Sequence, residues 1–450
     1  MVSDMSVFVS MIVLAVLASV FAVRLRYRDE GLFSTTFVFS LGAFVYFLSI
    51  PMEHFLLGQE SLPMRGVYFT VPVGPDFYVS VFSAGLAGIL AFALGLKFSG
   101  FKSLSADRAV PDTGDGVRIF ETALWLFWAS LILFIALFFH DYVINASQSY
   151  EASYATQYDR PVPNLALQLI ALLNAVLAVM LATRNRLLPI LGAGLLFAAN
   201  IWLSYLFHEK SQGVIAVIGM GYLYFYWIRN NKLAIAGALL GVLIMLFVLK
   251  PVYNIVQQDG GNPAEVFAHW KDLQISFTVL DSSGPMIVAA TTLTENKSVS
   301  YGLDIIKSFA IFVPRALWPD RPADPSETFA QRMIPNWKPG MGLGYSPVVE
   351  GVANFGFWLS PLEFLVFGIL WGLIWRGFMH AFAGYKTPMH LDIFYRIAGY
   401  YLLILFFRGL MAGSIKQALM YIIPVSIALG GMQLLVWLWA RYRPNHEVAA

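Results

Sequence analysis

Five cations stand in or beside long apolar runs: Lys210, Lys250, Arg315, Arg321 and Arg408. Fixed positive charge where water is scarce suits the holding of an anion, such as a phosphate or diphosphate, because each contact is strong there. Arg408 ends the run Leu402-Leu403-Ile404-Leu405-Phe406-Phe407. A charge inside a membrane span costs at least ~2.5 kcal/mol on insertion scales and marks a pathway or site. The alternative for Arg408 is snorkelling to the nearby interface. Lys250, just before Pro251, suits a snorkelling anchor. Lys210 lies in the tight turn His208-Glu209-Lys210-Ser211-Gln212-Gly213, where it is either a solvated charge or a phosphate ligand at the membrane surface. His208 could act as a base or a metal ligand, or as neither.

The strip Phe312-Val313-Pro314-Arg315-Ala316-Leu317-Trp318-Pro319-Asp320-Arg321-Pro322 places two arginines on a proline-stiffened segment. Arginine offers planar, bidentate donation to phosphate oxygens and keeps its charge at working pH. Two solvated loop charges, with Asp320 partly neutralising Arg321, are the plainer reading. Trp318 can anchor at the interface or stack on a sugar ring. Further on, Ser346 can cap a helix that has Pro347 at its first position, which puts Glu350 and Asn354 on one face, four residues apart. Glu350 can take a proton from a hydroxyl nucleophile, or pair with one of the arginines and position it.

Other chemistries are poorly served. No Gly-Lys dipeptide is present, so there is no Walker A loop, and His208-Glu209 lacks the second histidine of a zinc helix. With no cysteine, disulfides, thiolate nucleophiles and Cys-based metal sites are excluded. A net charge of +2 without a concentrated basic patch argues against nucleic acid. No cofactor and no metal is expected.

The elements that must position these residues are membrane helices. The 450 residues are 58% hydrophobic and 12% charged, against about 25% charged in soluble domains. A bilayer core needs about 20 apolar residues per helix. Spans are expected near 5–23, 33–56, 77–97, 119–139, 163–183, 187–206, 212–228, 233–250, 359–379, 391–411 and 417–439. The first is followed by Arg24, Arg26 and Arg28 rather than preceded by basic residues, so a retained helix is expected, not a signal peptide. Loops bearing those arginines, Lys97 to Arg118, Arg184 and Arg186, Arg229 and Lys232, Arg376 to Arg396, and Arg441 and Arg443 are assigned to the cytoplasm. Three regions result: spans one to eight in 1–250, a long extracytoplasmic loop in 251–345, and spans nine to eleven in 346–450. Within the loop, Asn262-Pro263 with Glu265 predicts a capped helix. Tyr301 to Phe312 predicts an interfacial helix with Ile305, Phe309 and Phe312 on one face. The prolines and glycines of 314–347 predict an irregular flap.

At these residues the chain resembles the bacterial oligosaccharide repeat-unit polymerases, the Wzy type that includes the O-antigen and enterobacterial common antigen polymerases. The resemblance rests on Pro314 to Pro322, on Ser346-Pro347 with Glu350 and Asn354-Phe355-Gly356, on Arg408-Gly409, and on the layout of many spans with one long late outer loop. It implies an all-α polytopic fold of about eleven transmembrane helices, like the C superfamily of membrane glycosyltransferases, in the bacterial inner membrane with a periplasmic active site. The substrate would be a polyprenyl-diphosphate-linked glycan, with membrane lipids and a chain-length regulator as expected partners. Arg315, Arg321 and Arg408 would hold diphosphate, with Lys210 assisting. The family often has arginine where Lys210 stands, and lysine lacks the bidentate fork. Glu350 would be the base and His208 the reserve; Asn354 and Trp318 would meet sugar. An O-antigen ligase of the same superfamily, or a transporter of lipid-linked glycans, are the competing expectations. The gathering of cations on one side, late in the chain, favours the enzyme over the transporter.

Overall fold

The computed structural model describes residues 2–30, 33–47, 61–64, 67–72, 75–102, 115–148, 160–184, 186–207, 211–227, 232–244, 299–313, 320–333, 344–382, 388–407 and 409–442, with a few isolated positions between. The expected capped helix at 262–265, and His208, Lys210, Lys250, Arg315 and Arg408, lie outside the described residues.

Each expected span contains a helix among the described residues. In order come α1 (Val2–Glu30), α2 (Thr35–Phe47), a short antiparallel hairpin of β1 (Ser61–Met64) and β2 (Val67–Pro72), α3 (Pro75–Phe98), α4 (Asp115–Phe138), α5 (His140–Ala146), α6 (Pro161–Ala182), α7 (Leu187–Leu206), α8 (Ser211–Tyr222) and α9 (Lys232–Ile244). Then follow α10 (Leu303–Ser308), α11 (Pro325–Met333), α12 (Pro347–Leu359), α13 (Pro361–Ala381), α14 (Pro388–Phe406) and α15 (Met411–Tyr442). Among the described residues eight helices are long and apolar enough to cross a membrane: α1, α3, α4, α6, α7, α13, α14 and α15. In α2, α8 and α9 the described helix is shorter than a crossing, and a π-helical turn, Leu223–Trp227, continues α8. The protein is therefore a polytopic helical membrane protein, and the hairpin is an addition that the apolar pattern did not announce.

Two helices form the centre. Over their most apolar stretches, α6 is 83% and α14 is 89% buried, whereas α1, α4, α7 and α15 are each 22% buried and turn most of their surface to lipid. Small residues allow the closest crossing. A Cβ added to Gly95 would collide with the Leu365 carbonyl, and one added to Gly368 with the Phe92 carbonyl, so α3 and α13 meet backbone to backbone. Stacked rings join the neighbouring helices to this pair: Phe39 of α2 on Phe92 of α3 and Phe367 of α13 on Phe406 of α14, each with centroids 3.8 Å apart.

Polar contacts sort the helix ends into two faces. On one, Arg26 near the end of α1 donates to the Phe101 carbonyl at 2.5 Å and Arg376 near the end of α13 donates to the Ser99 carbonyl at 3.0 Å, both just past α3. There, too, Arg184 pairs with Glu121, and His390 lies 3.4 Å from the same carboxylate. This is the face that the Lys/Arg bias assigns to the cytoplasm. Many of its arginines are helix rather than loop residues, however: Arg24, Arg26 and Arg28 lie on α1, Arg118 on α4, Arg376 on α13, Arg396 on α14 and Arg441 on α15, and Arg26 and Arg396 are buried.

The opposite face carries α10, α11, α12 and the start of α15. The interfacial stretch is helical as expected, as α10 followed by a 3-10 turn, Phe309–Phe312, with Ile305, Phe309 and Phe312 packed on the core. The expectation of an irregular 314–347 is corrected in part by α11. The Asp324 carboxylate accepts from the Glu327 N–H at 2.7 Å with Pro325 between, a capped start that the count of prolines concealed, and Phe329 and Ala330 are buried beneath it.

Candidate functional site

The site is built around α12. Ser346 caps it by accepting from the Val349 N–H at 3.3 Å, with Pro347 in the first turn, as its sequence requires. Gly356, at φ 76°, breaks the helical backbone in a conformation that a side chain would strain. Between them Glu350 and Asn354 share a face, and both are buried.

Asn354 ties three pieces of chain together. Its amide donates to the Glu350 carbonyl at 2.8 Å, and its oxygen accepts from the Ser300 hydroxyl at 2.9 Å and the Ile305 N–H at 3.3 Å. The amide's donor and acceptor ends are thus both engaged, and the interfacial segment is held against α12.

Glu350 is 1% exposed. One carboxylate oxygen accepts from the Met411 N–H at 2.8 Å and the other faces the Ser308 hydroxyl at 3.4 Å. The first contact supplies an acceptor to an otherwise unpaired N–H at the start of α15, with negative charge at the positive end of the helix dipole. Burial pushes the Glu350 carboxyl above the ordinary carboxylate range, while the contacts from Glu363, Met411 and Ser308 pull it back. Glu363, in the first turn of α13, lies against Glu350 and is fully buried. Sequence reasoning missed it, because Ser360-Pro361-Leu362-Glu363 reads as an ordinary capping box.

Arg321 donates through one guanidinium nitrogen to the Ile311 carbonyl at 3.2 Å and the Val313 carbonyl at 2.9 Å. It is thereby stitched to the end of the interfacial turn, which packs on α15. Among the described residues no carboxylate pairs with it, and Asp320 beside it is exposed and forms no ion pair. The charge that Arg321 does meet is positive: half-buried Lys416, on the second turn of α15, lies within its field. Among the described residues no carboxylate forms an ion pair with either of these two cations. Lys416 was legible only as an outer-side cation, since its partner lies 95 residues earlier in the chain.

Trp318 is 43% exposed and makes no described contact with Glu350 or Asn354. Among the described residues no group of three or more potential ligands could hold a metal ion. A small apolar cleft lined by Ala15, Ala43, Phe82 and Ile89 has none of the site residues in its wall. The chain matches no family model, no curated protein and no solved structure with which it was compared.

Proposed function

We propose that this protein is a membrane glycosyltransferase that polymerises oligosaccharide repeat units carried on polyprenyl diphosphate, with about eleven crossings in a C-superfamily-like arrangement and its site on the periplasmic side of the bacterial inner membrane. The observation that carries the reading is the pair Arg321 and Lys416, two cations beside the start of α15 without an acidic partner among the described residues. In the reaction the bond between the anomeric carbon of the growing glycan and its phosphate oxygen breaks, its electrons leaving with the lipid diphosphate. A hydroxyl of the incoming unit forms the new bond to that carbon. Charge grows on the departing diphosphate, and fixed cations in a water-poor setting stabilise it. Arg408, three residues before Met411 in sequence, and Arg315 and Lys210 are the further cations proposed to share this task. Glu350, buried and holding Met411, is suited to set the start of α15 in place. The acceptor's proton then goes to His208 or to the departing diphosphate. The energy is stored in the donor, so no nucleotide is required.

The test is incubation of purified full-length protein with a defined lipid-linked repeat unit. A ladder of longer glycans is expected, and its loss in Arg321→Ala and Lys416→Ala variants that still insert and fold. Absence of any ladder overturns the reading. A single transfer to a lipid A core acceptor would replace it with a ligase, and movement of intact lipid-linked glycan across vesicles with a transporter.

A further inference from the structure

Glu363 stands where a capping box would use it, yet neither of its carboxyl oxygens meets a hydrogen-bond donor among the described residues. Its side chain is fully buried and lies against Glu350, whose own oxygens face the Met411 N–H and the Ser308 hydroxyl. As two carboxylates the pair could only repel, with neither able to donate. Two buried negative charges in contact, without a cation between them, are far costlier than a pair that keeps one proton.

We infer that Glu350 and Glu363 share a single proton, and that Glu363 is a positioning residue whose hydroxyl donates to Glu350 and so fixes the carboxylate that holds the start of α15. This joins α12, α13 and α15 at one point. The next residues back along the chain are Leu410, Gly409 and Arg408, so the clamp stands three residues after the cation that the sequence placed in a span. Of the groups on other elements, the acid Asp324 acts on Glu350, and the phenol of Tyr345 lies within the field of both glutamates, with Asp304 and Arg332 beyond it acting on Tyr345. Asp324 disfavours a second negative charge in the pair, and burial followed by the Glu350 charge pushes the Tyr345 phenol up, so it stays a neutral neighbour.

The sign of the pH dependence follows from the raised Glu350 carboxyl. A proton held more tightly in the folded than in the unfolded protein gives stability that is fully present below the unfolded carboxylate range. That stability is lost as pH rises through the folded value.

As a statement about catalysis the inference rests on the polymerase reading; the shared proton does not, and the experiment separates them. Infrared spectra of detergent-purified full-length protein near neutral pH should contain a protonated-carboxyl band that disappears in Glu363→Gln and in Glu350→Gln. The melting temperature of the wild type should fall as pH is raised from the unfolded carboxylate range through the folded value, and that dependence should flatten in Glu363→Gln, whose amide still donates to Glu350. Glu363→Leu should lower glycan extension, with a rise in the donor's KM, and Glu363→Gln should restore it. A spectrum without the band, or equal pH dependence of melting in wild type and Glu363→Gln, overturns the inference. A band with no glycan ladder leaves the proton pair standing and removes the polymerase reading.

Discussion

Arg396 and Arg321 are both arginines set against an apolar body, and their surroundings are opposite. Arg396 is fully buried on α14. Its guanidinium pairs with Asp392 one turn earlier at 2.7 Å, donates to the Tyr400 hydroxyl at 2.9 Å and to the Phe33 carbonyl, and lies 5.9 Å from the Tyr222 ring. Tyr400 closes the loop by donating to the same Phe33 carbonyl at 2.7 Å. Arg321 has two carbonyls, a cation for a neighbour and no described acid. The first charge is neutralised by the fold; the second has no counter-charge among the described residues. A buried charge complete in its partners is a device of architecture, and an incomplete one at a boundary is where a ligand's charge is needed.

Variants of the cations can break or sharpen this contrast. Arg396→Met should cost about 3–5 kcal/mol, because it strands the buried Asp392 carboxylate, and adding Asp392→Leu should recover most of that loss. Thermal unfolding in detergent measures both, and a single variant that melts like wild type would show that Arg396 is not structural. Arg321→Ala and Lys416→Ala should slow glycan extension by roughly 10²–10³-fold, the usual effect of removing one group that stabilises developing charge. Their melting temperatures should stay near wild type; a drop as large as that of Arg396→Met would place them with the architectural charges. Arg26→Met should cost about 1.5–3 kcal/mol by removing a buried charged donor from the Phe101 carbonyl, with no change in the donor's KM. Arg160→Ala should leave melting unchanged. Its partner Asp141, 2.5 Å away and exposed, is held below the ordinary carboxylate range by the hydrogen bond from Arg160. Such a depressed group adds stability only above its unfolded range, and solvent screening removes most of it. NMR titration should nevertheless find the Asp141 carboxyl moving up.

Much of the membrane body was legible in the chain. Runs of about 20 apolar residues have only the helix as a way to satisfy their backbone in lipid. Hence each expected span contains a helix even where its full length is not described. The Ser346-Pro347 start and the facing of Glu350 and Asn354 are local, decided within one turn, and were read directly. The start of α11 was just as local in Asp324-Pro325-Ser326-Glu327, but the density of proline around it masked the cap.

What the chain determined by itself is therefore its solvent, its helices and the caps that start them, because these depend on neighbours a few residues apart. Tertiary structure alone decided which charges are spent and which are free. Arg396 resembled a loop cation until α2 brought the Phe33 carbonyl against it, 363 residues away in sequence. Glu363 has the place of a cap until α12 sets Glu350 beside it, and Lys416 is one outer-side cation until the interfacial turn brings Arg321 within its field. The free energy of a charge depends on what surrounds it within a few ångströms, and in a helical bundle those surroundings come from distant parts of the chain.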